Sequence, residues 1–157
     1  MNWILFFEKG LWFGAAAIGF AILFNVPRRT LRYIFIMGAL AGLLKTLLLW
    51  FGVNVIVSSL GGATLAGYMG VFAAHDKHAP PMVFAIPSVI PMVPGVFAYR
   101  MMLGLIKLSI IPDENYEKVL SETISNGLNA TFILLSLALG VAIPLLVTRK
   151  ESVKKTI

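Results

Sequence analysis

Pro87-Ser88-Val89-Ile90-Pro91-Met92-Val93-Pro94-Gly95, with Tyr99-Arg100 shortly after it, interrupts a long apolar run and decides how this chain folds. Each proline lacks a backbone N–H and its ring crowds the carbonyl four residues earlier, so the carbonyls of Val83, Pro87 and Ile90 lose their usual helical partners. In hydrocarbon, freed carbonyls are tolerated only where protein or a water-filled cavity receives them. A broken hydrophobic helix beside a buried cation therefore predicts a path for a polar solute, as in a transporter.

Composition agrees with a membrane setting. The 157 residues are 59% hydrophobic and 13% charged, with a mean hydropathy of +0.89, far more apolar than a soluble domain. The expected fold is all-α and polytopic, a single transmembrane domain over residues 1–157 in contact with membrane lipid. The formal charge of +6 does not indicate nucleic acid, because the basic residues are scattered at the edges of apolar runs rather than gathered on one soluble face. The absence of cysteine excludes disulfides, a thiolate metal site and a thiol nucleophile. Residues 10–24 read as a retained span and not as a leader, since residues 3–7 are already apolar and arginines follow.

Apolar runs bounded by turn residues predict five spans, at residues 3–24, 31–51, 55–74, 82–110 and 123–148. Asn25-Val26-Pro27 ends the first, Gly52 closes the second, the segment from His75 to Pro81 forms the next turn, and Pro112-Asp113-Glu114-Asn115 forms the last. Arg28, Arg29 and Arg32 flank the first turn, Lys77 lies in the third, and Arg149, Lys150, Lys154 and Lys155 follow the fifth span. These basic residues fall on alternate loops. The positive-inside bias then puts the amino terminus outside and the carboxyl terminus in the cytoplasm, which requires an odd number of spans. Small residues four apart, Gly62-Ala66-Gly70, Ala15-Gly19 and Gly38-Gly42, are expected to let helices approach closely.

The fourth run is longer than the roughly 20 residues one straight span requires, which leaves room for two half-helices. Pro94 would lie roughly 18 Å from the inner boundary, near mid-depth. A helix restarting at Gly95 presents backbone N–H groups and a positive dipole end there, a setting that suits a carboxylate. Ser88, Pro91, Pro94, Gly95 and Tyr99 form this element, and Arg100 is a cation too deep to reach water easily. Lys45 in the second span can either snorkel or face inward, while Lys107 reads as an interfacial anchor. Asn126 and Asn129 share a helical face and serve either as interhelical glue or as ligands. Together, Lys45, Arg100, Asn126 and Asn129 form a candidate set for an anionic or zwitterionic solute.

No acidic residue falls within a predicted span, so this chain offers no obvious proton-carrying carboxylate. His75 and His78 supply too few ligands for a metal site. Ser58, Ser59 and Ser88 have no histidine at comparable depth to act as base, so no enzyme and no cofactor are expected.

The quoted residues resemble the threonine/serine exporter family, in particular the short subunit of its split, two-component form. Phe24-Asn25-Val26-Pro27, and Ile86 through Gly95 with Tyr99-Arg100, look like that family's most recognisable segments. The resemblance implies a bacterial inner-membrane protein, one inverted-repeat half of a ten-span transporter, acting with a longer homologous subunit. It further implies export of small carboxylate-bearing metabolites, either threonine and serine or a succinate-like dicarboxylate. Two other readings stay open: a non-transporting scaffold that stabilises a partner, and a passive channel.

Overall fold

The computed structural model describes residues 3–110 and 116–153, with side chains as far as Thr148. All its described regular structure is helical: α1 (Trp3–Leu23), α2 (Leu31–Trp50), α3 (Val55–Lys77), α4 (Met82–Val89), α5 (Gly95–Ile110) and α6 (Tyr116–Val153), with 3-10 turns at Arg28–Thr30 and Ile90–Met92. Four of these helices are long and apolar enough to cross a membrane, and α4 with α5 passes as a fifth, interrupted one. The all-α polytopic architecture expected from hydropathy is therefore present. The turn expected at Pro112 to Asn115 and the basic residues beyond Thr148 lie outside the described side chains.

Turn chemistry sets most helix ends. Asn25 has a left-handed φ of 55° after α1 and Gly52 a φ of 80° after α2, conformations that Asn and Gly adopt at low cost. Asn54 caps α3 by accepting the Ile56 N–H at 2.8 Å. Two boundaries differ from the sequence expectation. Helix α3 runs through Lys77 rather than ending at residue 74, because His75-Asp76-Lys77 contains no breaker; His78, in the left-handed region at its C-cap, ends it. Helix α6 begins at Tyr116 rather than residue 123, since its first turns contain neither Gly nor Pro and hydropathy registers only the apolar part of a helix that continues past it.

The chain forms two compact units, Met1–Met92 with Ser136–Ile157, and Val93–Leu135. In the first, α2 is central and packs on α1, α3 and α4. Small residues admit the close approaches. A Cβ on Gly38 would lie 2.6 Å from the Ala17 Cβ, and one on Gly62 would lie 2.8 Å from the Ala41 carbonyl oxygen. Gly70 faces Ala85 and Pro81 of the α4 entry, while Gly67 meets Pro144 and Gly140 meets Ala63 where α6 packs on α3. The pair Ala15-Gly19 is the exception, because Ala15 is exposed and nothing approaches Gly19 within 4 Å. The packing face of α1 is instead Gly10, Gly14, Ala17 and Ala21, a stripe offset from the one inferred from spacing.

One end of this unit is closed by Ala17, Ala21, Ile34, Met37, Ala73, Ala74 and Phe84, with Val26 and Ala79 packed against them. The Arg-bearing turn after α1 and the His78 turn after α3 therefore share an end. Tyr33 donates its hydroxyl to Asp76 at 2.6 Å, Asp76 pairs with Lys77 at 2.9 Å, and the Lys77 ammonium sits 5.1 Å from the centre of the Tyr33 ring. In the second unit, α5 and the amino-terminal part of α6 approach at Gly104 against Thr123 and at Gly127 against Met101.

The glycine contacts set a stability test. Gly140→Leu should lower unfolding stability in detergent by about 1–3 kcal/mol through overpacking, because a Cβ there would lie 2.6 Å from Ala63 and 2.9 Å from the rigid Leu60 carbonyl. Gly19→Leu should stay within about 0.5 kcal/mol of the parent. Equal losses from both substitutions, followed by tryptophan fluorescence, would count against the packing described.

Candidate functional site

The quoted proline segment forms a helix interruption. Pro81 enters α4 at its N-cap, a position where the missing N–H costs nothing. Pro87 lies inside α4 without ending it, and the Ile90 N–H still reaches the Ile86 carbonyl. The backbone tightens into the 3-10 turn Ile90–Met92, leaves helical geometry at Val93 and Pro94, and restarts at Gly95. Across the gap, the Gly95 N–H bonds the Val93 carbonyl at 2.9 Å and the Ala98 N–H bonds the Pro94 carbonyl at 3.1 Å. The Val96 and Phe97 N–H groups are left at the start of α5 as first-turn donors.

Lys45 answers the interruption from α2. Its ammonium donates to the Met92 carbonyl at 2.9 Å, so the side chain turns inward to the broken helix. Gly62 of α3 makes room for the contact, since a Cβ there would lie 3.0 Å from the Met92 sulfur and 3.5 Å from the Lys45 Cβ. An ammonium carries three donors, and among the described residues only this acceptor is recorded for it. One turn before Gly62, on the same face of α3, Ser59 is fully buried with its hydroxyl unpartnered. Such an orphan is uncommon in a folded protein and needs a physical reason.

The other residues singled out from sequence separate by environment. Ser88 is buried, with its hydroxyl donating to the Phe84 carbonyl at 2.7 Å and lying 3.4 Å from the Ile34 carbonyl, so it ties α4 to α2. Pro91 lines a cleft with Lys9, Trp12, Phe13 and Ala16. Pro94 is buried, Gly95 is exposed with nothing within 4 Å of where its Cβ would be, and Tyr99 is 64% exposed.

Arg100 and Asn126 meet in one cleft of about 160 Å³ in the second unit, lined also by Lys107, Glu122, Thr123 and Gly104. Asn126 donates from its amide nitrogen to the Glu122 backbone carbonyl at 2.8 Å. Asn129 lies apart from this cleft, on a shallower face of α6 with Glu117, Ser121 and Ser125.

Sequence reasoning missed two kinds of residue here. Lys107, which reads as an interfacial anchor, also lines the Arg100 cleft. Hydropathy places Glu122 just before the last span, whereas the structure makes it a helical carboxylate in the same cleft. The spacing Arg100-Gly104-Lys107 puts two cations on one face of a helix and was the available signal. Ser59, which sequence offers only as a nucleophile without a base, lies one turn before Gly62 and so on the face toward Lys45.

No solved structure matches this chain. A Haemophilus influenzae protein described as uncharacterized is 33% identical over 128 residues, spanning 82% of this chain but only 42% of that relative, so the chain corresponds to less than half of the longer protein. Residues 10–147 match the family described as "Threonine/Serine exporter, ThrE". That span takes in the interrupted helix, the Lys45 contact and the Arg100 cleft, and by it this membrane protein belongs to the threonine/serine exporter family.

Proposed function

We propose that this chain is a subunit of a secondary exporter for small carboxylate-bearing metabolites. The observation that carries the reading is the interrupted helix whose freed Met92 carbonyl is held by an inward-turned lysine with spare donors. The Met92 carbonyl is a neutral acceptor, and a carboxylate, which adds the attraction of a full opposite charge to the ammonium, can compete for the same donors. The second unit, taken by itself, carries a cation at Arg100, an exposed hydroxyl at Tyr99 and the first-turn N–H groups of α5, each suited to an anion. Ser88 acts through packing, holding the first half-helix in place.

The chain works with a longer homologous subunit in the bacterial inner membrane, each contributing one inverted-repeat half of a ten-span assembly. Two observations support a partner. The related Haemophilus protein extends well beyond the matched segment, and α6 carries a polar stripe, Glu117, Ser121, Ser125 and Asn129, on one exposed or half-exposed face. Polar side chains in a spanning helix seek partners across helix interfaces. The shared end of the Arg28-Arg29 and Lys77 turns supports an outward amino terminus and cytoplasmic carboxyl terminus.

The scaffold reading draws on the commitment of both Ser88 and Lys45 to backbone carbonyls, and mutation separates the two. Arg100→Gln, and Pro91→Ala with Pro94→Ala, should each cut serine, threonine or succinate efflux at least tenfold in a deletion strain complemented with this chain and its partner, at unchanged membrane levels. Full efflux in these variants would favour the scaffold, and efflux indifferent to the proton gradient would favour a channel. A local test exploits the cysteine-free sequence. A Val93→Cys variant should react faster with maleimide when Lys45→Met is added, because the interruption loses its tether, and Lys45→Arg should restore slow labelling.

A further inference from the structure

The Arg100 cleft contains more chemistry than an anion requires. Two cations from α5, Arg100 and Lys107, line it together with the Glu122 carboxylate and the Asn126 amide of α6. Among the described residues the only ion pair within 4.0 Å is Lys77 with Asp76, so opposite charges line one small cleft without closing on each other. Gly104 against Thr123 brings the two helices close beneath these side chains, so the charges of α5 and α6 line one cleft. About 160 Å³ is the liquid volume of roughly five waters, which suits a metabolite of few heavy atoms.

Separated charges of both signs match a molecule that itself carries both. We propose that Glu122 is a specificity-determining residue that receives the ammonium group of a zwitterionic amino acid whose carboxylate is held by Arg100 and Lys107. This rests on the export reading above and deepens it. A dicarboxylate in the same place would bring a second negative charge toward Glu122, and like charges at close quarters act as the repulsive half of selectivity. Neutralising Glu122 removes both effects together: the ammonium loses its partner and the dicarboxylate loses its opponent. The charge of the side chains lining the cleft then rises from +1 to +2, counted over Arg100, Lys107 and Glu122.

The test measures efflux of labelled threonine and of labelled succinate from cells expressing this chain with its partner. Glu122→Gln is close to isosteric at an exposed position and should lower the threonine-to-succinate efflux ratio at least tenfold, while Glu122→Asp, which keeps the carboxylate, should hold the ratio near the parent value. An equal loss for both solutes, or an unchanged ratio, would overturn the assignment while leaving the export reading intact. A parent pair that moves neither solute would remove the export reading, and this inference with it. Misfolding of Glu122→Gln would be recognised from its membrane level, and the Glu122→Asp ratio would then decide: a ratio displaced from the parent value despite the retained carboxylate would count against ammonium recognition, and a parent-like ratio with Asn126→Asp raising it further would support it.

Discussion

A helix that stops within an apolar environment leaves carbonyls that must be received by something, and the contact from Lys45 to the Met92 carbonyl at 2.9 Å is where this structure meets that requirement. Much of the first unit is arranged around it. Helix α2 lies centrally and so can reach α4; Gly62 lacks a side chain where the Met92 sulfur and the Lys45 stem pass; Ser88 ties the preceding half-helix to α2 through the Phe84 and Ile34 carbonyls. A buried cation costs free energy unless it is paired. Here one hydrogen bond lowers both costs, that of the half-buried Lys45 ammonium and that of the Met92 carbonyl left by the break.

The legible parts of the sequence were those where one residue type has one physical meaning. Proline and glycine punctuation located the interruption and the ends of α1 and α2, and apolar run length gave the helices. Small residues four apart predicted close packing correctly at Gly62-Ala66-Gly70 and Gly38-Gly42. The same spacing misled at Ala15-Gly19, because a small residue permits an approach but does not require one; the larger pattern of Gly10, Gly14, Ala17 and Ala21 decides which face of α1 is used. Lys45 was ambiguous for a related reason. A long stem can carry its charge outward or inward, and only the position of Met92 chooses between them.

Hydropathy was the weaker guide at the polar start of α6. A last span that starts at residue 123 leaves Glu122 outside it, hence the expectation that no acidic residue falls within a span; the helix in fact begins at Tyr116. Helix formation is governed by backbone hydrogen bonding and local propensity, whereas a hydropathy window reports the solvent a segment prefers. The two coincide through the apolar body of a span and part company at its ends, where charged residues continue the helix. That zone is both structured and polar, so the Arg100 cleft is half legible in the sequence: Arg100 and Asn126 from spacing and depth, the place of Lys107 and Glu122 beside them only from the fold.

The two cations differ in kind, and the difference bears on how a solute would be handled. Lys45 is a compact point charge on a flexible stem with rotatable donors, while Arg100 presents a planar fork suited to a carboxylate at two points. A lysine held by one carbonyl can exchange that partner without its stem moving far, which suits a contact made and broken in each cycle. An arginine in a cleft whose helices are locked at Gly104 and Thr123 suits recognition, because its geometry is informative only if its surroundings stay fixed. A transporter needs both behaviours, a tether that yields and a site that discriminates. In the proposed exporter, Lys45 at the helix interruption would serve as the tether, and Arg100, beside Glu122 and Lys107, as the discriminating side chain.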